Sequence, residues 1–404
     1  MKISLRKLLF IGIAIITMSC ISLPKVTLPT TVPTFDSSSL ITQINVADSS
    51  TWIWNELPAP TFEFLPQNNP QLVIGLDGKL HFFWDTLSDD EAFIYHSYFQ
   101  DGVWSESLPI SLTLGKSKLY ATPVVSSDGN IHILWYNELK LGGPYRLLYA
   151  QFDGINWSVE NEVYITEKNS NLRGELFADS QLNIHALIKA PVGVNYDFFY
   201  LTKTPEGWDI SKPITPEVTD GFVFWKYKPN QSSGVRLYGK DLMGNLRISS
   251  WENGVVGDIT KTSIHLPIYD TYFIDNARNY YIYWTGQVPV PGSTITGAYY
   301  QCISNSLLPW SETVLSGDKT VITKPLVTQN ESVSVIAWVT KDNKIEFLFP
   351  NGCENANLYD LDLPEAKTQR QLISLAISST SNNLCSLNKL NVNDFELYCA
   401  ELSQ

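Results

Sequence analysis

Three histidines have the type and spacing that most directly invite chemistry. His81 stands in "DGKLHFFW" (residues 77–84), His132 in "DGNIHILW" (128–135) and His185 in "LNIHALI" (182–188), at matching places in three successive stretches. Three neutral imidazoles are a common zinc set. Each, however, belongs to its own copy of a repeated unit. Equivalent positions on stacked sheets lie about 10 Å apart, whereas a Zn–N bond is about 2.0 Å. The spacing therefore predicts structural histidines, each tying a strand to a neighbouring loop by a hydrogen bond, and no metal or other cofactor.

Other chemistries are sought by their own signatures. The sequence holds no G-x-S-x-G, no H-E-x-x-H, no phosphate-binding loop and no dinucleotide fingerprint. The acidic run with Asp85, Asp89, Asp90 and Glu91 departs from the EF-hand spacing and reads as a solvated loop. With 28 basic against 41 acidic residues, a net charge of −13, the chain lacks the cationic surface that neutralises phosphates. Nucleic acid is excluded as a partner. Cys385 and Cys399 flank the turn around "NVND" almost symmetrically and can form a cross-strand disulfide in an oxidising compartment. The sequence leaves open whether Cys302 and Cys353 meet.

The elements that must position these residues follow from the repeat. Turn glycines or their substitutes fall at Gly102, Gly154, Gly207, Gly254, Ser306 and Gly352, a period near fifty residues. Inside the first period lie four short runs, "PQLVIGL", "LHFFWD", "FIYHSYF" and "VWSES", rich in β-branched and aromatic residues and divided by D-G turns. Four antiparallel strands repeated at this spacing predict an all-β fold, a β-propeller of four-stranded blades that bury both faces. The tail after residue 364 supplies three strands and no fourth. "STWIWNELP", residues 50–58, is the missing outer strand, so the N-terminal strand is expected to pair with "FELYCAEL" and close a ring of seven blades. Trp84, Trp135, Trp104 and Trp157 are assigned to the core between blades.

The first residues have a different character. Lys2, Arg6 and Lys7 precede the apolar "LLFIGIAIITM", and "TMSC" ends in Cys20. This resembles a bacterial lipoprotein signal, with Thr17 where that family usually has leucine. The resemblance implies that residues 1–19 are removed and that Cys20 carries a lipid such as palmitate. Residues 20–45, rich in Pro, Thr and Ser, then read as a tether and residues 46–404 as the propeller. The expected location is the cell envelope, lipid-anchored to the outer face of a bacterial membrane.

The pair "DGxLHxxW" and "DGxxW" resembles the repeats of the sialidase-like propeller superfamily and, more loosely, those of tectonin-like and fucose-binding propeller lectins. For the sialidases the resemblance implies an "RIP" start, an arginine triad and boxes of the form S-x-D-x-G-x-x-W. This chain has no "RIP", and "FQDGVW" and "FDGINW" lack the leading serine. Beyond residue 19 its arginines are Arg146, Arg173, Arg236, Arg247, Arg278 and Arg370, and Arg173 alone sits at the entry of an innermost strand. The expected function is a monomeric, non-catalytic binding module for a glycan or protein ligand. The alternative is a sialidase-like or other glycoside-active enzyme with an atypical site.

Loop lengths place the ligand. The turns after the first and third strands are short, whereas "DTLSDDEAF", "NELKLGGPYR", "KAPVGVNYD" and "QVPVPGSTIT" are long and dissimilar. Recognition is carried by variable loops on a rigid scaffold, so the site is expected on that face, over the central channel. Arg173, Glu175, Trp225 and Tyr272 are expected there from the innermost strands, and Tyr145, Arg146 and Tyr196 from the loops.

Overall fold

The computed structural model describes most of residues 53–210, the strands between Phe224 and Val314, and most of residues 320–401. The chain divides into residues 1–37 and 38–404, and every described residue belongs to the second unit. The signal, Cys20 and the tether therefore lie outside the described residues, as do the side chains of Cys302 and Cys353.

All described regular structure is β, arranged as seven antiparallel sheets, I to VII in chain order. Sheet I holds Gln71–Ile74, Leu80–Asp85 and Ile94–Gln100, with Val103–Trp104 and Leu108–Pro109 outermost. In sheet II the inner strand is split into Lys116–Lys118 and Val124–Val125, followed by Ile131–Glu138, Tyr145–Phe152 and Asn161–Thr166. Sheet III runs Arg173–Ala178, Ile184–Val192, Asn195–Thr204 and Gly207–Ile210. Sheet IV opens on Phe224–Pro229 and Gly234–Lys240, sheet V on Thr271–Asp275 and Asn279–Val290 paired with Ser293–Ser304, and sheet VI on Leu326–Gln329 and Ser334–Val339. Sheet VII combines Gln371–Ile377, Asn383–Asn391 and Asp394–Glu401 with the N-terminal strand Ile53–Leu57. Ile53 lies opposite Glu401 and Leu57 opposite Leu397, so the first described strand pairs with the last. Each sheet is a meander of chain neighbours, with Ile53–Leu57 added at the end of sheet VII, the topology of a propeller blade.

Strand periodicity explains why both faces are apolar. In "LHFFWD" all six residues are buried. Phe82 and Trp84 join Leu387, Phe395 and Leu397 in a core between sheets I and VII, whereas Phe83 joins Ile133, Trp135 and Leu148 between I and II. Alternate side chains of one strand thus serve two neighbours. The pattern continues with Leu134, Leu147 and Tyr149 against Leu176, Ala186 and Ile188 between II and III, and with Val335, Ala337 and Phe347 against Leu372, Leu375 and Leu384 between VI and VII. Each large apolar side chain buried this way contributes about 1.5–3 kcal/mol.

The third-to-fourth-strand turns are sharp because their residues accept left-handed backbone. Asp101 and Gly102 have φ of 52° and 84°, the signature of the tight hairpin turn that suits strand twist. Cys385 and Cys399, opposite one another in sheet VII, are joined by a disulfide.

Candidate functional site

The repeated histidines are buried in hydrogen-bonded positions within their own sheets. His132 Nε2 lies 2.8 Å from Ser126 Oγ in the preceding turn, and its Nδ1 lies 2.7 Å from the Tyr149 hydroxyl on the next strand. His185 Nδ1 is 2.8 Å from the hydroxyl of Tyr200. His81 Nδ1 is 2.9 Å from His96 Nε2, and the Trp157 indole N–H donates to His96 Nδ1 at 3.2 Å. That donor assigns the chain of protons: His96 accepts at Nδ1, carries its proton on Nε2 and donates it to His81. Burial holds the pKa of His81 and of His132 down at about 4, and that of His96 well below its ordinary value. Among the described residues no three metal-ligating groups cluster.

A more distinctive feature sits on the inner strand of sheet II. Lys118 lies opposite Tyr136 and Val124 opposite His132, so residues 119–123 face only residues 133–135. Two residues are in excess, and the strand bulges. Bulges re-aim side chains and gather at functional rims. The Leu119 N–H donates to Asp85 Oδ2 at 3.0 Å, and Asp85 is itself buried at the end of a strand of sheet I. Leu119 and Ala121 are buried, which turns Tyr120 and Thr122 outward. Tyr120 is 48% exposed.

The bulge reaches both neighbours. Thr122 Oγ1 lies 3.5 Å from Oε1 of Gln71, the first residue of the inner strand of sheet I. The guanidinium of Arg173, the first residue of the inner strand of sheet III, lies over the Tyr120 ring, 5.7 Å from its centroid. Tyr136 meets Tyr120 from within sheet II at 6.1 Å. Gly174 and Leu176 pack on sheet II: a Cβ at Gly174 would sit 2.7 Å from Leu134, and Leu176 belongs to the shared core. Alternation therefore sets Arg173 and Glu175, both exposed, on the other side of the strand. The outcome is an exposed aromatic ring with a guanidinium over it, beside the first residue of the inner strand of sheet III. An aromatic face can stack on the C–H face of a sugar, and the charged groups can hydrogen-bond hydroxyls.

The residues anticipated from sequence fall unevenly. Arg173 and Glu175 are both exposed on the inner strand of sheet III, and Arg173 reaches the Tyr120 ring. Tyr145 does not: it is 3% exposed, stacked on Tyr136 in the core between sheets II and III. Its position just after a loop concealed the fact that a strand register turns it inward. Arg146 projects from the opposite side of the same strand, half-buried, with Nη1 4.0 Å from Glu162 on the outer strand. It is not brought to Arg173. Tyr196 is not a loop residue but lies opposite Pro191 in a hairpin. Trp225 and Tyr272 occupy the second positions of the inner strands of sheets IV and V, and their side chains lie outside the described residues. Tyr120 was not anticipated. The sequence signal for it is "KSKLYATPVV", an inner strand two residues too long for its partner.

No protein-family model matches the chain, and none of the curated proteins matches it. Solved structures do resemble it. A polysaccharide lyase, Uly1, aligns at 10% identity over 86% of this chain and 92% of its own, with a TM-score of 0.50. The Trypanosoma rangeli sialidase, solved with the inhibitor DANA, aligns at 10% identity over 86% of this chain but 58% of its own, with a TM-score of 0.45. The Aleuria aurantia lectin, solved with Fucalpha1-6GlcNAc, aligns at 10% identity over 74% of this chain and 96% of its own, with a TM-score of 0.43. At such identities the likeness concerns the fold alone.

Proposed function

We propose that this protein is a non-catalytic, saccharide-binding β-propeller displayed at a bacterial cell envelope. In this reading the seven sheets are the blades of one ring, closed where Ile53–Leu57 completes sheet VII, and the protein works as a monomer. Lipidated Cys20 anchors it to the outer face of the membrane, with residues 20–45 as a tether. The ligand binds over the mouth of the channel, on the face where the inner strands begin. One observation carries the proposal: a bulge that donates a hydrogen bond to buried Asp85 presents an exposed Tyr120 with the Arg173 guanidinium over its ring.

The test is a glycan array probed with residues 46–404, followed by titration of the best ligand against variants. Tyr120→Ala and Arg173→Ala should each weaken binding at least about tenfold, equivalent to about 1.4 kcal/mol, with the melting temperature held. An array without a hit, or full affinity in both variants, overturns the proposal.

A further inference from the structure

The exposed groups of the bulge do not end at Tyr120. Tyr120 leans toward sheet III, beneath the Arg173 guanidinium, whereas exposed Thr122 leans toward sheet I, where its hydroxyl donates to Gln71 Oε1 at 3.5 Å. The buried residues beside them divide as well. Leu119 belongs to the core between sheets I and II, and Ala121 to the core between II and III. On a regular strand, side chains two residues apart lie on one side and meet one neighbour. The two surplus residues break that rule, so one bulge sends two exposed side chains to two different sheets.

The two ends of this line differ in chemistry. At the sheet III end stand an aromatic face and a cation. At the sheet I end, Gln71 opens the inner strand, and because Val73 packs in the core between I and II, alternation turns Gln71 toward sheet II as well. The amide of Gln71 and the hydroxyl of Thr122 combine donors and acceptors without charge, the set that suits sugar hydroxyls. The Cα atoms of Tyr120 and Thr122 are at most about 7 Å apart, and their side chains diverge from there. A sugar ring stacked on Tyr120 therefore leaves Gln71 and Thr122 to whatever is joined to it. The spacing is held from both sides. Asp85 of sheet I accepts the Leu119 N–H, and the missing Cβ of Gly174 lets sheet III close on Leu134 directly below Arg173.

We infer that the site holds two joined sugars, one on Tyr120 and Arg173 and a second, uncharged one at Gln71 and Thr122. The inference rests on the saccharide reading above. It assigns Gln71 and Thr122 the choice of the second sugar, through its hydroxyls.

The experiment pairs each monosaccharide with its disaccharide: glucose with cellobiose, xylose with xylobiose, and N-acetylglucosamine with chitobiose. Each is titrated by calorimetry against the full chain in a sugar-free detergent. For the pair that binds, the disaccharide should bind about tenfold more tightly. Thr122→Val and Gln71→Leu should each remove about three- to tenfold of that advantage, the worth of a hydrogen bond, and leave the monosaccharide affinity unchanged. Tyr120→Ala should weaken both sugars. Equal wild-type affinity for the two members of a pair, or an advantage that survives both Thr122→Val and Gln71→Leu while Tyr120→Ala still abolishes binding, overturns this inference alone. Failure of all three pairs overturns it as well, and together with an empty array it removes the saccharide reading too. Should Gln71→Leu not fold, Thr122→Val, a change on an exposed side chain, decides.

Discussion

His132 illustrates how a residue with catalytic potential is spent on structure. Both ring nitrogens are taken, by Ser126 and Tyr149, and burial disfavours the imidazolium. The sign of the pH effect follows. The folded-state pKa, about 4, lies below the ordinary value of 6.5, so the unfolded chain binds the proton more readily between those values. Stability from this group is complete above pH 6.5 and is lost as pH falls toward 4, by up to roughly 3 kcal/mol. His81 and His96 add to the same slope. Urea unfolding at pH 7.5 and pH 5 should therefore show a marked loss in the wild type and a smaller one in His132→Gln. Parallel behaviour of the two proteins would show that His132 does not drive it. The repeat spacing alone made this structural role legible. It could not separate Tyr120 from Tyr145, because one residue of register decides whether a tyrosine is covered or exposed: the inner-strand bulge fixes it for Tyr120, and the pairing of Tyr145 with Glu138 fixes it for Tyr145.

The strands are the elements the sequence revealed best, since D-G turns and runs of β-branched and aromatic residues mark both their ends and their period. Their lengths were less legible. "KAPVGVNYD" and "QVPVPGSTIT" carry Pro and Gly and look like loops, yet pairing across each hairpin continues to Val192–Asn195 and Val290–Ser293. Among the described residues Pro289 lies beyond Trp284, where pairing with the inner strand ends, so a missing N–H donor costs no bond on that side. Two elements invite direct measurement. The bulge donates the Leu119 N–H to buried Asp85, so Asp85→Ala, which leaves that donor unpaired, should cost about 1–3 kcal/mol and weaken ligand binding; unchanged affinity in a folded Asp85→Ala protein would mean the bulge is held otherwise. The N-terminal strand is held by Trp54, stacked on Phe347 of sheet VI at 4.9 Å. Trp54→Ala should cost about 3–5 kcal/mol like other large-to-small aromatic changes, read as a lower urea midpoint. A loss below 1 kcal/mol, on the order of a surface substitution, would show that this strand is dispensable.

For the whole molecule, the direction of the first strand ties the tether to the binding face. Inner strands begin on the face that carries Tyr120 and Arg173. In sheet VII the strand Asp394–Glu401 starts at that face, next to Asn391, and finishes at the opposite one. Ile53 lies opposite Glu401, so the chain enters the propeller from the opposite face. If Cys20 carries the proposed lipid, the prediction is that this face lies nearer the membrane than the face of the site. The prediction is tested with lipidated protein in liposomes, in a background with Cys302→Ser and Cys353→Ser. One dye is placed at Ser127→Cys, exposed in the first turn of sheet II on the opposite face, and in a second protein at Leu141→Cys, which is 94% exposed on the site face. Energy transfer to a membrane acceptor should be stronger from position 127 than from position 141. Cys20→Ala should remove the lipid label and abolish transfer at both positions. Equal transfer from both would mean that the domain tumbles freely on its tether; stronger transfer from 141 would turn the site toward the membrane and favour a ligand within the envelope.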